Sequence, residues 1–439
     1  MEPAHVVLLL TEFNRNSLAA VAGALEETPP TADCPITVAH GMDNLIERLP
    51  DVCGAARRVV VAFSFGTLAL TDAAVAMQRL RQMARGRGID NLVSVAGGPH
   101  PSAVPEEALK LGFDYVVVGE GEIAFPSLVS ALAREADASH IKGIATTRDG
   151  RVIRNGRAEQ PDVHAFPPVA QRTRLFSYIE ITRGCGRGCK FCQNPFLFGR
   201  SLRHRSIENI AAAVQFLHDV GWRDIHFLSP DALSYGSDNP GEPNLRAVSN
   251  LLKATNEIAG REHTFFGSFP SEVWPASVTD EAMGLLRAHT GNDMLIIGAQ
   301  SGSQAVLDRM KRWHTVDDVI RAVQIIVKHG FVPSVDFLFG LPGETEADEG
   351  ATLDLMLRLA DMGAQIHSHT FIPLPGTPLA EFPSPHLSPR LQRALDRLAG
   401  PGKQYGAWRQ HMQAARRVAD FRKELGRVET INAMDLGTF

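Results

Sequence analysis

Three of the five cysteines, Cys185, Cys189 and Cys192, fall within eight positions of one another in Thr182-Arg-Gly-Cys-Gly-Arg-Gly-Cys-Lys-Phe-Cys-Gln193. Three residues separate the first pair and two the second. Thiolates that close together on a short loop can converge on one inorganic centre, and Gly184, Gly186 and Gly188 permit the tight turns this requires. A structural zinc site takes four ligands, usually as two separated pairs. Here His204 is the candidate fourth ligand, and it lies outside the usual spacing. An iron–sulfur cubane normally takes four thiolates. Three would leave one iron open, and an open position is where a substrate or cofactor binds.

The loop must be held by its neighbours. It follows a strand-like run, Phe176-Ser-Tyr-Ile-Glu-Ile181, and precedes a helical pattern that starts near Ser206. Strand candidates recur near 176–181, 224–229, 263–267, 293–299, 333–339 and 366–372, with helical patterns between them. Six such strand–helix units follow one another, and the chemistry of parallel βα folds sits at the C-terminal strand ends. Residues 5–137 show a similar alternation. Strands are expected at Val6 to Leu10, Ile36 to Ala39, Val59 to Phe65, Leu92 to Ala96 and Tyr115 to Val118. Helices are expected near 15–27, 44–57, 72–87, 102–112 and 122–136. That pattern predicts a doubly wound parallel sheet of Rossmann or flavodoxin type, with its binding face at the carboxyl ends of the strands. The turns there are Thr11 to Ser17, Ser64 to Thr67, Gly97-Gly-Pro-His100 and Gly119-Glu-Gly-Glu122. Residues 141–156 read as a hairpin around Arg148-Asp-Gly150. Residues 157–174, with Pro161, Pro167 and Pro168, read as a linker. The expected domains are therefore 1–140, a hairpin and linker over 141–174, a barrel over 175–383 and a helical C-terminal extension over 384–439. Tyr405, Trp408 and His411 on that extension can close the barrel over a substrate or simply pack.

The cysteine spacing, with Phe191 before the third cysteine, resembles the radical S-adenosylmethionine (SAM) superfamily. Gly97-Gly-Pro-His-Pro-Ser102 and Val118-Gly-Glu-Gly-Glu122, with Pro105-Glu-Glu and Phe113-Asp-Tyr between them, resemble the cobalamin-binding domain that precedes many radical SAM domains. Together the two likenesses cover roughly residues 5–380. They imply a partial (βα)6 TIM-type barrel, with Cys185, Cys189 and Cys192 as metal ligands and catalytic centre holding a [4Fe-4S] cluster. The open iron would bind the amine and carboxylate of S-adenosyl-L-methionine. Reductive cleavage would yield a 5′-deoxyadenosyl radical that takes a hydrogen from substrate. Methylcobalamin, if bound, would then donate a methyl group. The Asp-x-His-x-x-Gly motif that supplies a cobalt-ligating histidine elsewhere is absent. The cobalamin side would use Ser64, Gly97, Gly98, His100, Gly119 and Glu120. His100 reads equally as a corrin or phosphate contact and as a surface histidine.

The same resemblance assigns SAM contacts at the barrel strand ends. Ser229-Pro-Asp231 stands where the family usually has a Gly-Gly-Glu-Pro-like turn, so Asp231 would accept from the SAM amine, or the segment is a plain turn. Ser268 and Glu272 would face the cavity. Gln300 and Ser301, in place of Glu-Ser, would contact ribose, and Arg309 or Arg312 would pair with the SAM carboxylate. Gly340, Pro342 and Gly343 in Gly-Leu-Pro-Gly-Glu-Thr345 match the adenine-side motif, and Glu344 and Thr345 can also cap the helix that follows. His367 and His369 share one strand face, with core packing or proton transfer as their readings.

With 44% apolar residues and a net charge of -5, the 439-residue chain has material for two or three domains and lacks a long basic run. Nucleic acid is therefore not expected as the main partner. Val6 to Leu10 is too short an apolar run for a signal or membrane helix, so no membrane segment and a cytoplasmic location are expected. An oxygen-sensitive cluster fits a reducing compartment. Expected partners are a flavodoxin- or ferredoxin-type electron donor and an unknown small-molecule or peptide substrate. The leading expectation is a cobalamin-dependent methyltransferase. One rival is a methylthiotransferase, whose family carries three further N-terminal cysteines where this chain has only Cys34 and Cys53. The other is a non-catalytic metal-bound scaffold.

Overall fold

The computed structural model describes residues 2–400 and 402–428. The end of the expected C-terminal extension, 429–439, lies outside them. The chain forms two compact units, residues 1–177 with those from 416 onward, and residues 178–415.

The first unit contains β1 (His5–Leu10), β2 (Ile36–His40), β3 (Val59–Ser64), β4 (Leu92–Gly97), β5 (Tyr115–Val117), β6 (Ile144–Arg148) and β7 (Arg151–Arg154). They form one sheet in the order β2-β1-β3-β4-β5-β6-β7. The first five strands are parallel. A 2-1-3-4-5 order reverses direction at the β1/β3 boundary, which is the ligand crevice of flavodoxin-like sheets. The near-continuous apolar runs of β1 and β3 follow from burial on both faces. Alternate residues divide between two cores. Val6, Leu8, Val60, Ala62 and Val95 pack with the helices Arg15–Glu27 and Gly121–Ala133. Val7, Leu9, Val61, Phe63 and Ala96 pack on the other side.

Three expectations change. The hairpin assigned to the linker instead extends the sheet, with β6 antiparallel to β5 and β7 antiparallel to β6. It covers the edge of β5, which would otherwise present unpaired backbone groups. The single helix expected near 102–112 is two, Pro99–Ala103 and Pro105–Leu111, because a residue before proline is driven out of helical geometry. The extension is not an independent piece: Val418, Phe421 and Leu425, on the helix Trp408–Leu425, enter the core of the first unit.

The second unit begins with β8 (Ile179–Glu180), β9 (Thr182–Arg183), β10 (Arg203–His204), β11 (Ile225–Leu228) and β12 (Thr264–Phe265). It continues with β13 (Met294–Gln300), β14 (Val332–Phe339), β15 (Gln365–Thr370) and β16 (Gln404–Tyr405). Parallel ladders run in the order β12-β11-β8 and β13-β14-β15-β16. The two are stitched where Ile296 N donates to Gly267 O at 3.0 Å and Val273 N donates to Ile296 O at 2.8 Å. The six expected barrel strands are present. A seventh, β16, adds Tyr405 beside β15 in a stretch read from sequence as helix. Ser206 caps the helix Ile207–Asp219, and Thr345 with Asp348 forms a capping box on Glu346–Asp361.

Candidate functional site

The antiparallel pair β9–β10 clamps the base of the cysteine loop, aligning Thr182 with His204 and Arg183 with Arg203. Gly184 has φ +90°, and a Cβ there would lie 2.1 Å from Ser201 O. The loop therefore requires glycine at this point. Cys185 N donates to Gly199 O, and Lys190 N donates to Met310 O at 3.1 Å. Gln193 Nε2 donates to Pro375 O at 2.7 Å. These bonds fix both ends of the loop against the unit. His204 is withdrawn from the zinc reading, since its ring nitrogens meet Thr182 Oγ1 at 2.9 Å and Ser237 O at 2.9 Å. Burial pushes the Cys192 thiol up to about 12 and raises Cys185, with the neighbouring Cys189 adding to both. Thiols held this way give up their protons to a metal centre rather than to bulk water.

Arg312 reaches this loop. Its Nη1 is 3.5 Å from Cys189 Sγ, its Nη2 donates to Gly298 O at 2.8 Å, and its Nε has no hydrogen-bond partner. The guanidinium lies 4.1 Å from the centre of the Trp274 ring and 6.0 Å from that of Phe191. A second cation, Arg187 within the cysteine motif, lies 3.6 Å from the same indole and donates to Asp231 Oδ2 at 2.8 Å. Phe191 packs beside Val306, Met310, Leu341, Phe371 and Leu379. The barrel interior desolvates Glu272 and pushes its carboxyl up to about 7, against the opposing pull of Arg312.

The strand-end residues divide into free and committed groups. Ser268 Oγ is buried without a partner, as a group awaiting a ligand would be. Gln300 ends β13 at φ +69°, just past a register break between Gly298 and Gln300. Gly340 and Gly343 have φ +73° and +79° and turn the chain, with Pro342 between them. Glu344 Oε2 accepts from Gly340 N and Leu341 N, so Glu344 ties the turn together, while Thr345 caps the helix. Other assigned residues are engaged within the protein. Asp231 is committed to Arg187, Ser234 and Trp274 N. Ser229 is buried, and its Oγ donates to Asp231 O. Ser301 is fully buried against Thr352 Oγ1 at 3.2 Å. Arg309 donates to Gly343 O at 2.7 Å, which leaves Arg312 as the arginine at the cluster loop.

On the next strands Asp336, His367 and His369 draw together, with Tyr405 and His411 stacked behind the two histidines. Burial and the adjacent His367 push His369 down to about 4. Trp274, Arg187 and Asp336 were not singled out from sequence. Asp336 had a legible mark, as the one charged residue on an otherwise apolar strand.

At the carboxyl edge of the first unit, Ser17 and Ser64 hydroxyls meet at 2.7 Å across the β1/β3 boundary. Asn14 Nδ2 donates to Leu9 O and Ser64 O. Gly98 has φ +95°, and a Cβ there would come within 2.9 Å of the Phe65 backbone. Gly119 N donates to Ser102 Oγ at 2.9 Å, and Glu120 is buried beside it. His100 corrects its surface reading. It is 0% exposed, held between Thr67 Oγ1 at 3.2 Å and Glu107 Oε2 at 3.1 Å. It is also the one histidine in the four edge turns. This edge therefore offers a ligand backbone groups and the Ser17–Ser64 hydroxyl pair, while the His100 imidazole is held inside.

Two family profiles match the chain: the Radical SAM superfamily over residues 179–356 and the B12 binding domain over residues 11–129. The tRNA-2-methylthio-N(6)-dimethylallyladenosine synthase of Pelobacter propionicus is 32% identical over 237 residues, 53% of this chain and 51% of that one. An uncharacterized methyltransferase of Synechocystis sp. is 28% identical over 293 residues, 65% of this chain and 49% of that one. The chain thus spans about half the length of these curated relatives. Among solved structures, the radical S-adenosylmethionine methyltransferase TsrM of Kitasatospora setae, with cobalamin and a [4Fe-4S] cluster bound, superposes with a TM-score of 0.65 at 17% identity. That match covers 86% of this chain and 74% of TsrM. The cobalamin-dependent S-adenosylmethionine radical enzyme OxsB matches with a TM-score of 0.65 at 15% identity, covering 83% of this chain and 53% of its own. At such identities the likeness is one of fold, and it spans both units. Residues 179–356 thus carry the likeness to the radical SAM superfamily and residues 11–129 that to the B12 binding domain, in that order along one chain.

Proposed function

We propose that the chain is a radical SAM enzyme that transfers a methyl group to carbon, with cobalamin carried by the first unit. The observation that carries this reading is the cysteine loop itself. Three thiols sit on one loop whose backbone is anchored at Gly199 O and Met310 O, with the Arg312 guanidinium 3.5 Å from Cys189. Cys185, Cys189 and Cys192 would hold the cluster, and the edge around Ser17, Ser64, Gly97 and Gly119 would hold the corrinoid. When bound, the cluster supplies the electron that cleaves SAM, and the corrinoid supplies a transferable methyl group.

The chain's own residues then bind and position. Arg312 offers its Nε–H, unpartnered within the protein, to a ligand carboxylate. The Trp274 indole beside it excludes water and strengthens that pairing. Ser268 Oγ gives a ligand one buried hydroxyl contact. The turn over Gly340, Pro342 and Gly343 presents backbone groups to a planar base. Glu272, near 7, can hold or release a proton at neutral pH inside the barrel. The electron would come from a flavodoxin- or ferredoxin-type donor. Among the described residues no helix is long and apolar enough to cross a membrane.

The test is anaerobic. The full chain is reconstituted with iron, sulfide and hydroxocobalamin, desalted, examined by visible and EPR spectroscopy, and then given SAM and a reductant. A cluster signal, retained corrinoid and release of 5′-deoxyadenosine are expected. A cluster without corrinoid would overturn the methyl-donor assignment. A cluster that never cleaves SAM would overturn the enzyme. Sulfur insertion is a second reading, favoured by the identity to the tRNA methylthio enzyme. The cysteines of the first unit speak against it. Burial pushes Cys34 and Cys53 each up to about 11, and Cys34 is turned onto Ala4 O. A product gaining sulfur together with methyl would decide for that reading.

A further inference from the structure

We propose that Asp336, His367 and His369 form a second metal site inside the barrel, separate from the cluster, that takes one divalent first-row transition ion such as zinc. The three side chains come from adjacent parallel strands, in a register that pairs Asp336 with His367, and β15 sets His369 two residues on, on the same face. Asp336 Oδ1 lies 2.8 Å from His367 Nδ1, and His369 Nε2 lies 3.1 Å from that same nitrogen. All three ligand atoms fall within 4.8 Å of one another. An ion about 2.1 Å from each ligand needs separations of roughly 3.0–3.4 Å, and the two distances through His367 Nδ1 lie near that range. A bare cluster of this kind is poorly matched, because three acceptor atoms converge on a point where one imidazole proton must serve them all. Two imidazoles with one carboxylate favour a transition ion over magnesium or calcium, which prefer all-oxygen shells.

The surroundings are those of a built site. The His367 ring stacks on Tyr405 at 4.4 Å and that of His369 on His411 at 5.5 Å, which fixes both ring planes. Tyr405 is in turn bonded to Ser334. All three ligand residues are partly exposed, while their strand neighbours Val335, Phe337, Ile366 and Ser368 are buried. One registered row, Gly298, Asp336, His367 and Tyr405, crosses the sheet, and Arg312 joins Gly298 O to Cys189. With strands about 4.8 Å apart, the ion would sit on the order of 10 Å along that row from the arginine at the cluster loop. Three protein ligands leave positions open, so the ion would hold an oxygen- or nitrogen-bearing substrate facing the SAM side.

The test uses the full, cluster-loaded chain equilibrated with buffered zinc, desalted and analysed for metals. One zinc per chain beyond the cluster iron is expected. Cobalt(II) in its place should show the ligand-field bands of nitrogen and oxygen ligation, without the intense near-ultraviolet band of cobalt–thiolate. His369→Gln and the near-isosteric Asp336→Asn should weaken zinc by more than the roughly 10–100-fold that loss of an outer-shell partner costs, with iron and sulfide content unchanged. Zinc retained equally by parent and variants would overturn the site, as would a thiolate cobalt spectrum. Failure of the parent to retain zinc would also overturn it and leave the triad sharing a proton. The parent spectrum decides even where a variant fails to take up its cluster.

Discussion

As strings, the cysteine loop and the Gly97–His100 turn look alike. Each is a glycine-punctuated segment at the end of a parallel strand, and each carries residues with binding chemistry. In three dimensions they use that chemistry in opposite ways. Around the cysteine loop polar groups are left open, Arg312 Nε and Ser268 Oγ, and the three thiols are free of disulfides. At the turn they are consumed, since His100 is spent on Thr67 and Glu107, and Ser64 on Ser17. One region presents side-chain ligands, and the other presents shape and backbone. A buried polar group costs about 1–3 kcal/mol when unpaired, so the surroundings of the cysteine loop bear a stability cost that the Gly97–His100 turn avoids.

The contrast can be broken or sharpened by substitution. The largest effect is expected for Cys189→Ser, which should lose the cluster's iron and sulfide and all 5′-deoxyadenosine formation while corrinoid retention stays at the parental level. Gly186→Ala comes next. Its added methyl would lie 2.0 Å from Pro240 Cγ, so the loop must move, and iron analysis should show most of the cluster lost although every ligand remains. Arg312→Lys keeps the charge and discards the planar fork. SAM kcat/KM should fall roughly 10–100-fold, the worth of about 1.5–3 kcal/mol for a hydrogen bond to a charged group, with the cluster's EPR signal intact. His100→Ala should cost about 1–3 kcal/mol of stability by taking the buried partner from Thr67 Oγ1, Glu107 keeping its pair with Arg422, read as a lower Tm, and leave corrinoid stoichiometry unchanged. Loss of corrinoid from a variant of parental Tm would break the comparison.

The smallest effect concerns pH. Burial pushes the Glu344 carboxyl up to about 7, although two backbone N–H groups favour its anion. Because the folded value lies above the ordinary 4.5, ionising Glu344 costs the fold stability as pH rises through that interval. Glu344→Gln keeps an acceptor for Gly340 and Leu341. Its Tm should exceed the parent's by roughly 2 °C at pH 8 and match it at pH 4.

What could be read without a structure were the features that repeat locally or crowd together in sequence. Short apolar runs alternating with helical spacing marked both strand sets, because each strand's burial is written in its own residues. The cysteine loop was legible because its three ligands and its glycines are consecutive. The tertiary structure decided every choice of partner. His100 and Ser301 went into the core, Arg309 went to Gly343 and Arg312 to Cys189, and Asp231 was closed off by Arg187. Asp336 met His367 and His369 only because the parallel register set residues 31 positions apart side by side. A side chain's type and spacing state what it can bind. Whether it is still free to do so depends on which distant group reaches it first, and that is settled by packing.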